Sequence, residues 1–268
     1  MSEAVISNFG FRCTPFTREI DERDHFDAPQ LKEELSYMSD SLKNRLSSAV
    51  IAPPGTGKTC FLRRLQKSLP ENRFGFHYVL CSKLGKLDMY REICLALGLP
   101  HKGTAPSLRQ RLEEYFIKMS TSRGIRPVIL FDDAHEIRPD VLAILRILTN
   151  FEMDSKLVLC CILCGQPGLR QTLKLPALED VSTRINHVVT LRSLSKEESL
   201  SYINHRCALA GVTKAPFDEG ALQSIIEQTQ GNMRAMDDLC SKTLEVAARD
   251  GSKVCDSNQV VQARGYLL

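Results

Sequence analysis

The chain has no uninterrupted apolar run approaching the roughly 18 residues of a membrane-spanning helix, so no transmembrane segment is expected. Its opening, Met1 to Phe11, is mixed and lacks the apolar core of a secretory leader. Net charge is small: 35 Lys and Arg against 32 Asp and Glu leave +3. That balance neither demands nor excludes a polyanionic partner, because a local basic stripe can hide inside it. There is no internal repeat and no low-complexity stretch. The ten cysteines lack the pattern of a zinc site. Cys160, Cys161 and Cys164 cluster, but no second CxxC or paired histidine follows, and they sit in an apolar, strand-like run. Reduced, buried thiols are therefore expected over disulfides or metal ligands. What remains is an ordinary globular composition, 43% apolar and 25% charged over 268 residues. That length holds one α/β domain with a small helical one, or two modest domains. A cytoplasmic location is expected.

From about residue 30 to 192, strand and helix signals alternate. Leu31, Leu35, Met38 and Leu42 share one helical face. Strands are expected over 48–52, 76–80, 128–131, 157–163 and 187–191. The helices expected between them start at Thr59 and span 88–97, 107–119 and 140–149. Such alternation predicts a parallel sheet flanked by helices. After Leu191 only helices are expected, over about 196–209, 218–229, 232–249 and 256–264. Ser195 with Glu198 is a capping-box start for the first of them. The expected organisation is an N-terminal arm over 1–28, an α/β nucleotide-binding domain over 29–192 and a small all-helical lid over 193–268.

Two motifs carry chemistry. Ala52-Pro53-Pro54-Gly55-Thr56-Gly57-Lys58-Thr59 lies between an expected strand and an expected helix, the context of a phosphate loop. Gly55 and Gly57 let the backbone N–H groups curl inward, and the helix N-terminus adds partial positive charge. Lys58 is expected to reach the β- and γ-phosphates of ATP, and the Thr59 hydroxyl to hold Mg²⁺. The expected nucleotide contacts are Pro54, Gly55, Thr56, Gly57, Lys58, Thr59 and Cys60. Ala52 stands where the motif usually has its first glycine. The second motif, Val128 to His135, puts Asp132 at the C-terminal edge of an apolar strand, to hold Mg²⁺ through water. The acid that follows is Asp133, where glutamate is usual. One methylene less draws the carboxylate back by roughly 1.5 Å. A misplacement of about 1 Å can cost on the order of 10²-fold in rate. Slow hydrolysis is therefore expected, unless Asp133 instead caps the next helix.

With these motifs in place, the chain resembles the ExeA-like AAA+ ATPases, and within them a transposon-encoded branch related to the target-selection regulators TnsC and MuB. The resemblance rests on Phe9-Gly10-Phe11, Thr14-Pro15-Phe16, the phosphate loop, Asp132-Asp133-Ala134-His135, Leu148 to Phe151, Gly165-Gln166-Pro167 with Leu169-Arg170, and Gly231 to Ala235. It runs over nearly the whole chain and implies an AAA+ P-loop NTPase fold. It implies that Gln166 is the polar sensor of the γ-phosphate or water, the alternative being a turn amide. Arg184 matches the arginine finger that reaches a neighbouring subunit's ATP, with Arg170 the other candidate and a solvated arginine the alternative. Arg234 matches the second sensor, against a surface arginine.

The main functional expectation is an ATP-switched, DNA-binding oligomer, ring or helical filament, that guides a transposase or integrase to double-stranded DNA, possibly through an adaptor. No membrane partner is expected. The competing expectation is an ATPase of secretion-machinery assembly acting with a membrane partner. A third is a generic protein remodeller, which would usually show an aromatic-Gly pore loop after the second strand. Cys81 to Leu87 has two lysines there and no aromatic. Lys83 and Lys86 are candidate phosphate-backbone contacts, or ordinary solvated charges.

Overall fold

The structure, a computed structural model, describes residues 3–17, 19–21, 24–81, 84–122, 124–151 and 156–267. The chain divides into two compact units, Gln30–Pro54 with Lys58–Leu191, and Met1–Pro29 with Gly55–Gly57 and Arg192–Leu268.

The first of these is an α/β core: a five-stranded, all-parallel sheet with helices between its strands. The strands are β1 (Ser47–Ile51), β2 (Phe74–Leu80), β3 (Arg126–Asp132), β4 (Cys160–Gly165) and β5 (Ile185–Thr190), in the order β2-β3-β4-β1-β5. Every residue of β1 and β4 is buried, which is why both read as continuous apolar or small-residue runs. The edge strands β2 and β5 alternate instead, exposing Tyr78, Leu80 and Val188. Helices α2 (Pro29–Lys43), α3 (Lys58–Ser68), α4 (Lys86–Ala96) and α5 (Ala105–Ser122) follow the expected periodicity. One core cluster joins Ile129 and Phe131 of β3 to Met89 and Ile93 of α4 and Leu108, Leu112 and Phe116 of α5. The clustered Cys160, Cys161 and Cys164 are buried free thiols of β4.

Several expected elements differ in their bounds; β2 and β3, for example, each start two residues early, at Phe74 and Arg126. The helix over 140–149 is two short helices, α6 (Pro139–Leu142) and α7 (Ile144–Thr149), because Ala143 tightens to φ −58°, ψ −18°, near 3₁₀ geometry. The strand expected from residue 157 begins at Cys160. Leu157 is exposed and its carbonyl accepts the Arg45 guanidinium rather than a strand partner. The last strand starts two residues early, at Ile185, which pairs with Ser47.

Short helices α8 (Gly168–Leu173) and α9 (Glu179–Ser182) complete the first unit, and the second unit is helical: α1 (Glu3–Phe9), α10 (Lys196–Leu209), α11 (Glu219–Thr229), α12 (Met233–Arg249) and α13 (Ser257–Arg264). The Ser195–Glu198 capping box is present, and Arg192 grips the Glu198 carboxylate with two bonds of 2.6 and 2.9 Å. The N-terminal segment is tied down by Arg206, which is 3% exposed. Its Nε donates to Pro15 O at 2.9 Å, its Nη2 to Thr17 O at 2.6 Å, and its Nη1 to the Asp237 carboxylate at 3.0 Å. Tyr202 donates to the same carboxylate at 2.8 Å. Burial lifts Asp237 to about 6 against the downward pull of Arg206. Among the described residues no helix is long and apolar enough to cross a membrane.

Candidate nucleotide site

β1 ends at Ile51 and α3 begins at Lys58, so the phosphate loop leaves the C-terminal edge of a central strand and enters a helix N-terminus. That edge is where ligands collect in open parallel sheets. Ala52 is buried, donates its N–H to Gly165 O at 3.0 Å, and is absent from the positive-φ positions of the chain. The position therefore does not need glycine, and alanine fits it. Gly55 and Gly57 do need it: their φ values are +78° and +91°. A Cβ on Gly55 would collide with Asn232 Oδ1, and one on Gly57 would sit 2.8 Å from Met233 Cε. Within the same unit Arg234 N donates to Gly55 O at 3.3 Å. Arg234 itself is exposed in the first turn of α12, behind the cap Asn232. Lys58 Nζ donates to Ala52 O at 3.0 Å and Pro53 O at 2.9 Å, folded over its own loop. Thr59 is exposed in the first turn of α3, Cys60 half-buried beside it, Thr56 buried and Pro54 exposed. A loop with two obligatory glycines opening on a helix N-terminus is a cradle for phosphate oxygens.

Asp132 is the last residue of β3, between β2 and β4. Both carboxylate oxygens accept hydrogen bonds: Oδ1 from Asp133 N and Oδ2 from the Tyr78 hydroxyl, each at 3.0 Å. The Cys164 thiol of β4 lies close enough to this carboxylate to feel its charge. Burial and the Asp132 charge push that thiol well up, so it stays protonated. The same two causes push the Tyr78 phenol up to about 12. A carboxylate offers about four lone-pair sites. These donors orient Asp132 and leave it sites for metal-bound water, so the set fits Mg²⁺ held by Thr59 Oγ1 and Asp132.

Asp133 adopts φ +52°, ψ +35°, the left-handed region, ahead of a 3₁₀ turn over Ala134–Glu136. Its side chain makes no capping bond there. Asp and Asn tolerate this conformation best among residues with a side chain, which supplies a backbone reason for aspartate in place of glutamate. The Asp133 carboxylate lies 3.9 Å from His135 Nδ1. Gln166 follows directly on β4, the strand beside β3.

The two arginine-finger candidates lie at opposite ends of the edge strand β5. Arg170 Nη2 donates to Thr190 Oγ1 at 2.7 Å, at the C-terminal end of β5. Arg184 immediately precedes β5, whose Ile185 pairs with Ser47 and whose Thr190 pairs with Ile51. About 15 Å of strand therefore separates Arg184 from the end of β1, more than an arginine side chain spans. Lys86 is exposed at the start of α4. Lys83 lies outside the described residues.

Sequence reasoning missed Tyr78 and Cys164. Only the register of β2 and β4 on β3 brings them to Asp132, and no local signal marks them.

The AAA domain profile matches residues 40–173, half of the chain. The chain belongs to the AAA domain family and carries an AAA+ ATPase domain, whose cofactor is ATP. It is 30% identical over 246 residues to "General secretion pathway protein A" of Aeromonas hydrophila, covering 91% of this chain and 45% of that protein. The chain thus spans about half the length of that relative. Among solved structures it is similar to Cdc6p of Pyrobaculum aerophilum, with TM-score 0.70, 20% identity and coverage of 95% of this chain and 70% of that one. It is also similar to Drosophila ORC bound to DNA, with TM-score 0.69, 18% identity and coverage of 98% and 65%. At these identities the two structures bear on the fold alone. The secretion-pathway relative corrects two expectations. The chain does not belong with the transposon-encoded regulators resembling TnsC and MuB, and the transposase or integrase partner falls with them. The exclusion of membrane from its partners is likewise overturned, because secretion machinery works at a membrane.

Proposed function

We propose that the chain is an ATP-switched ATPase of secretion-machinery assembly, acting with a membrane partner. The observation that carries this reading is the 30% identity to a general secretion pathway protein across 91% of the chain.

In this reading Gly55, Gly57 and the α3 N-terminus bind the phosphates, and Lys58 leaves the Ala52 and Pro53 carbonyls to take the terminal phosphate oxygens. Thr59 Oγ1 and Asp132 would hold Mg²⁺, which would supply charge neutralisation for the triphosphate. Asp133 accepts a proton from the attacking water at its carboxylate, and Gln166 orients that water. The position of Asp133, one methylene shorter than glutamate, supports slow turnover and a long dwell in the ATP state. The separation of Arg184 from its own loop supports a role in a neighbouring subunit's site, and hence self-association in a ring or filament. Arg234 reports nucleotide state to the lid.

The test is complementation. The matching region of the Aeromonas hydrophila protein is replaced by this chain in cells lacking the native copy, and secreted protein is measured. Restored secretion that is lost with Lys58→Ala is expected. A chimera that accumulates and hydrolyses ATP yet restores nothing would contradict the reading. If the isolated chain, with ATP, shifts duplex DNA on a gel in that case, the DNA-binding reading takes its place.

A further inference from the structure

We propose that Tyr78 is a positioning residue for the Mg²⁺ carboxylate; this rests on the assignment of Asp132 above. Tyr78 lies on the edge strand β2, opposite Leu130 and two residues before the Leu80–Asp132 pair. Alternation puts residues 78 and 80 of β2 and 130 and 132 of β3 on one face of the sheet. The phenol thus reaches diagonally along that face to Asp132 Oδ2, at 3.0 Å. Its ring is not filling the core: Tyr78 is 53% exposed. A half-exposed aromatic on an edge strand gains little from packing, and among the described residues its hydroxyl bonds the Asp132 carboxylate.

The geometry says what that contact does. Oδ1 is already held by the N–H of the next residue, Asp133. A single bond to one oxygen leaves the carboxylate free to swing about it. The Tyr78 bond to the second oxygen fixes the plane of the group, and the lone pairs left over point in set directions. Outer partners of this kind orient a ligating carboxylate and tune the affinity of the metal. Asp133 shares the effect, because the bond between its N–H and Asp132 Oδ1 is part of the same arrangement.

The experiment compares the parent, Tyr78→Phe and Asp132→Ala. Affinity for a methylanthraniloyl ATP analogue is measured in EDTA and then over a Mg²⁺ series, and kcat is followed over the same series. For Tyr78→Phe the affinity in EDTA stays at the parent value. Its half-saturating Mg²⁺ rises by about tenfold, the low end of the cost of losing an outer-shell partner, and kcat returns to the parent value at saturating Mg²⁺. A ring that served only structure would leave the Mg²⁺ dependence alone. If Asp132→Ala raises the Mg²⁺ requirement and Tyr78→Phe does not, the positioning role is overturned and the Asp132 assignment stands. If Asp132→Ala leaves the requirement unchanged, the assignment of Asp132 fails and the role of Tyr78 fails with it.

Discussion

Replacing Asp133 separates two readings of one carboxylate. The residue sits at φ +52°, ψ +35° with no capping bond from its side chain. Asparagine is nearly isosteric and accepts the left-handed region as readily, so Asp133→Asn removes the charge and little else. If Asp133 is the base, the loss is that of a positioned proton acceptor, about 10²- to 10⁴-fold in kcat, with nucleotide affinity unchanged. A stabilising cap would show elsewhere, since losing one costs about 1 kcal/mol, or about 2–4 °C in Tm for a chain of this size. The account therefore expects a large fall in steady-state phosphate release and a melting temperature within error of the parent. Asp133→Glu gains about 1.5 Å of reach but puts a longer side chain into a conformation that costs most L-residues about 1–2 kcal/mol. Its rate should match or exceed the parent's while its melting temperature falls. Parent-like hydrolysis by Asp133→Asn would refute the catalytic role.

Two further predictions concern the assembly and the lid. If Arg184 serves a neighbour's site, ATPase activity rises more than linearly with protein concentration, and Arg184→Ala binds nucleotide but does not hydrolyse it; strict proportionality over a range where the protein remains monomeric would count against this. Asp237→Asn leaves the Arg206 guanidinium buried without its counter-charge, a loss of about 3–5 kcal/mol that urea denaturation would register. A change below about 1 kcal/mol, the scale of an exposed pair, would show that the Pro15 and Thr17 carbonyls alone hold that arginine.

Much of this architecture was legible because its signals are local. The phosphate loop declares itself by glycine spacing between a strand and a helix, and the four closing helices carry periodicity and, at Ser195–Glu198, a cap that the structure reproduces. Several misread features are decided by partners distant in sequence. The Leu157 carbonyl is taken by Arg45, 112 residues away, and β4 starts late. Arg206 binds backbone 189 and 191 residues upstream, a buried ionic node that no local pattern announces. The left-handed backbone at Asp133 and the reach of Tyr78 to Asp132 belong to the same class, set by register and turn geometry. Partner identity was the least legible. Asp132-Asp133-Ala134-His135 and Gly165-Gln166-Pro167 are motifs expected to handle ATP and do not say which machinery uses it, and the secretion-pathway relative overturned the transposon-encoded reading.

The central claim is that ATP and Mg²⁺ bind the loop from Pro54 to Thr59. Titration calorimetry of ATP with Mg²⁺ on the parent chain and on Lys58→Ala tests it most directly. Lys58 Nζ bonds the Ala52 and Pro53 carbonyls of its own loop, and a melting curve of Lys58→Ala checks that the variant is folded. A charge-assisted bond to phosphate is worth about 1.5–3 kcal/mol, so affinity should fall by at least about tenfold. A folded Lys58→Ala protein that binds ATP–Mg²⁺ as tightly as the parent would contradict the account.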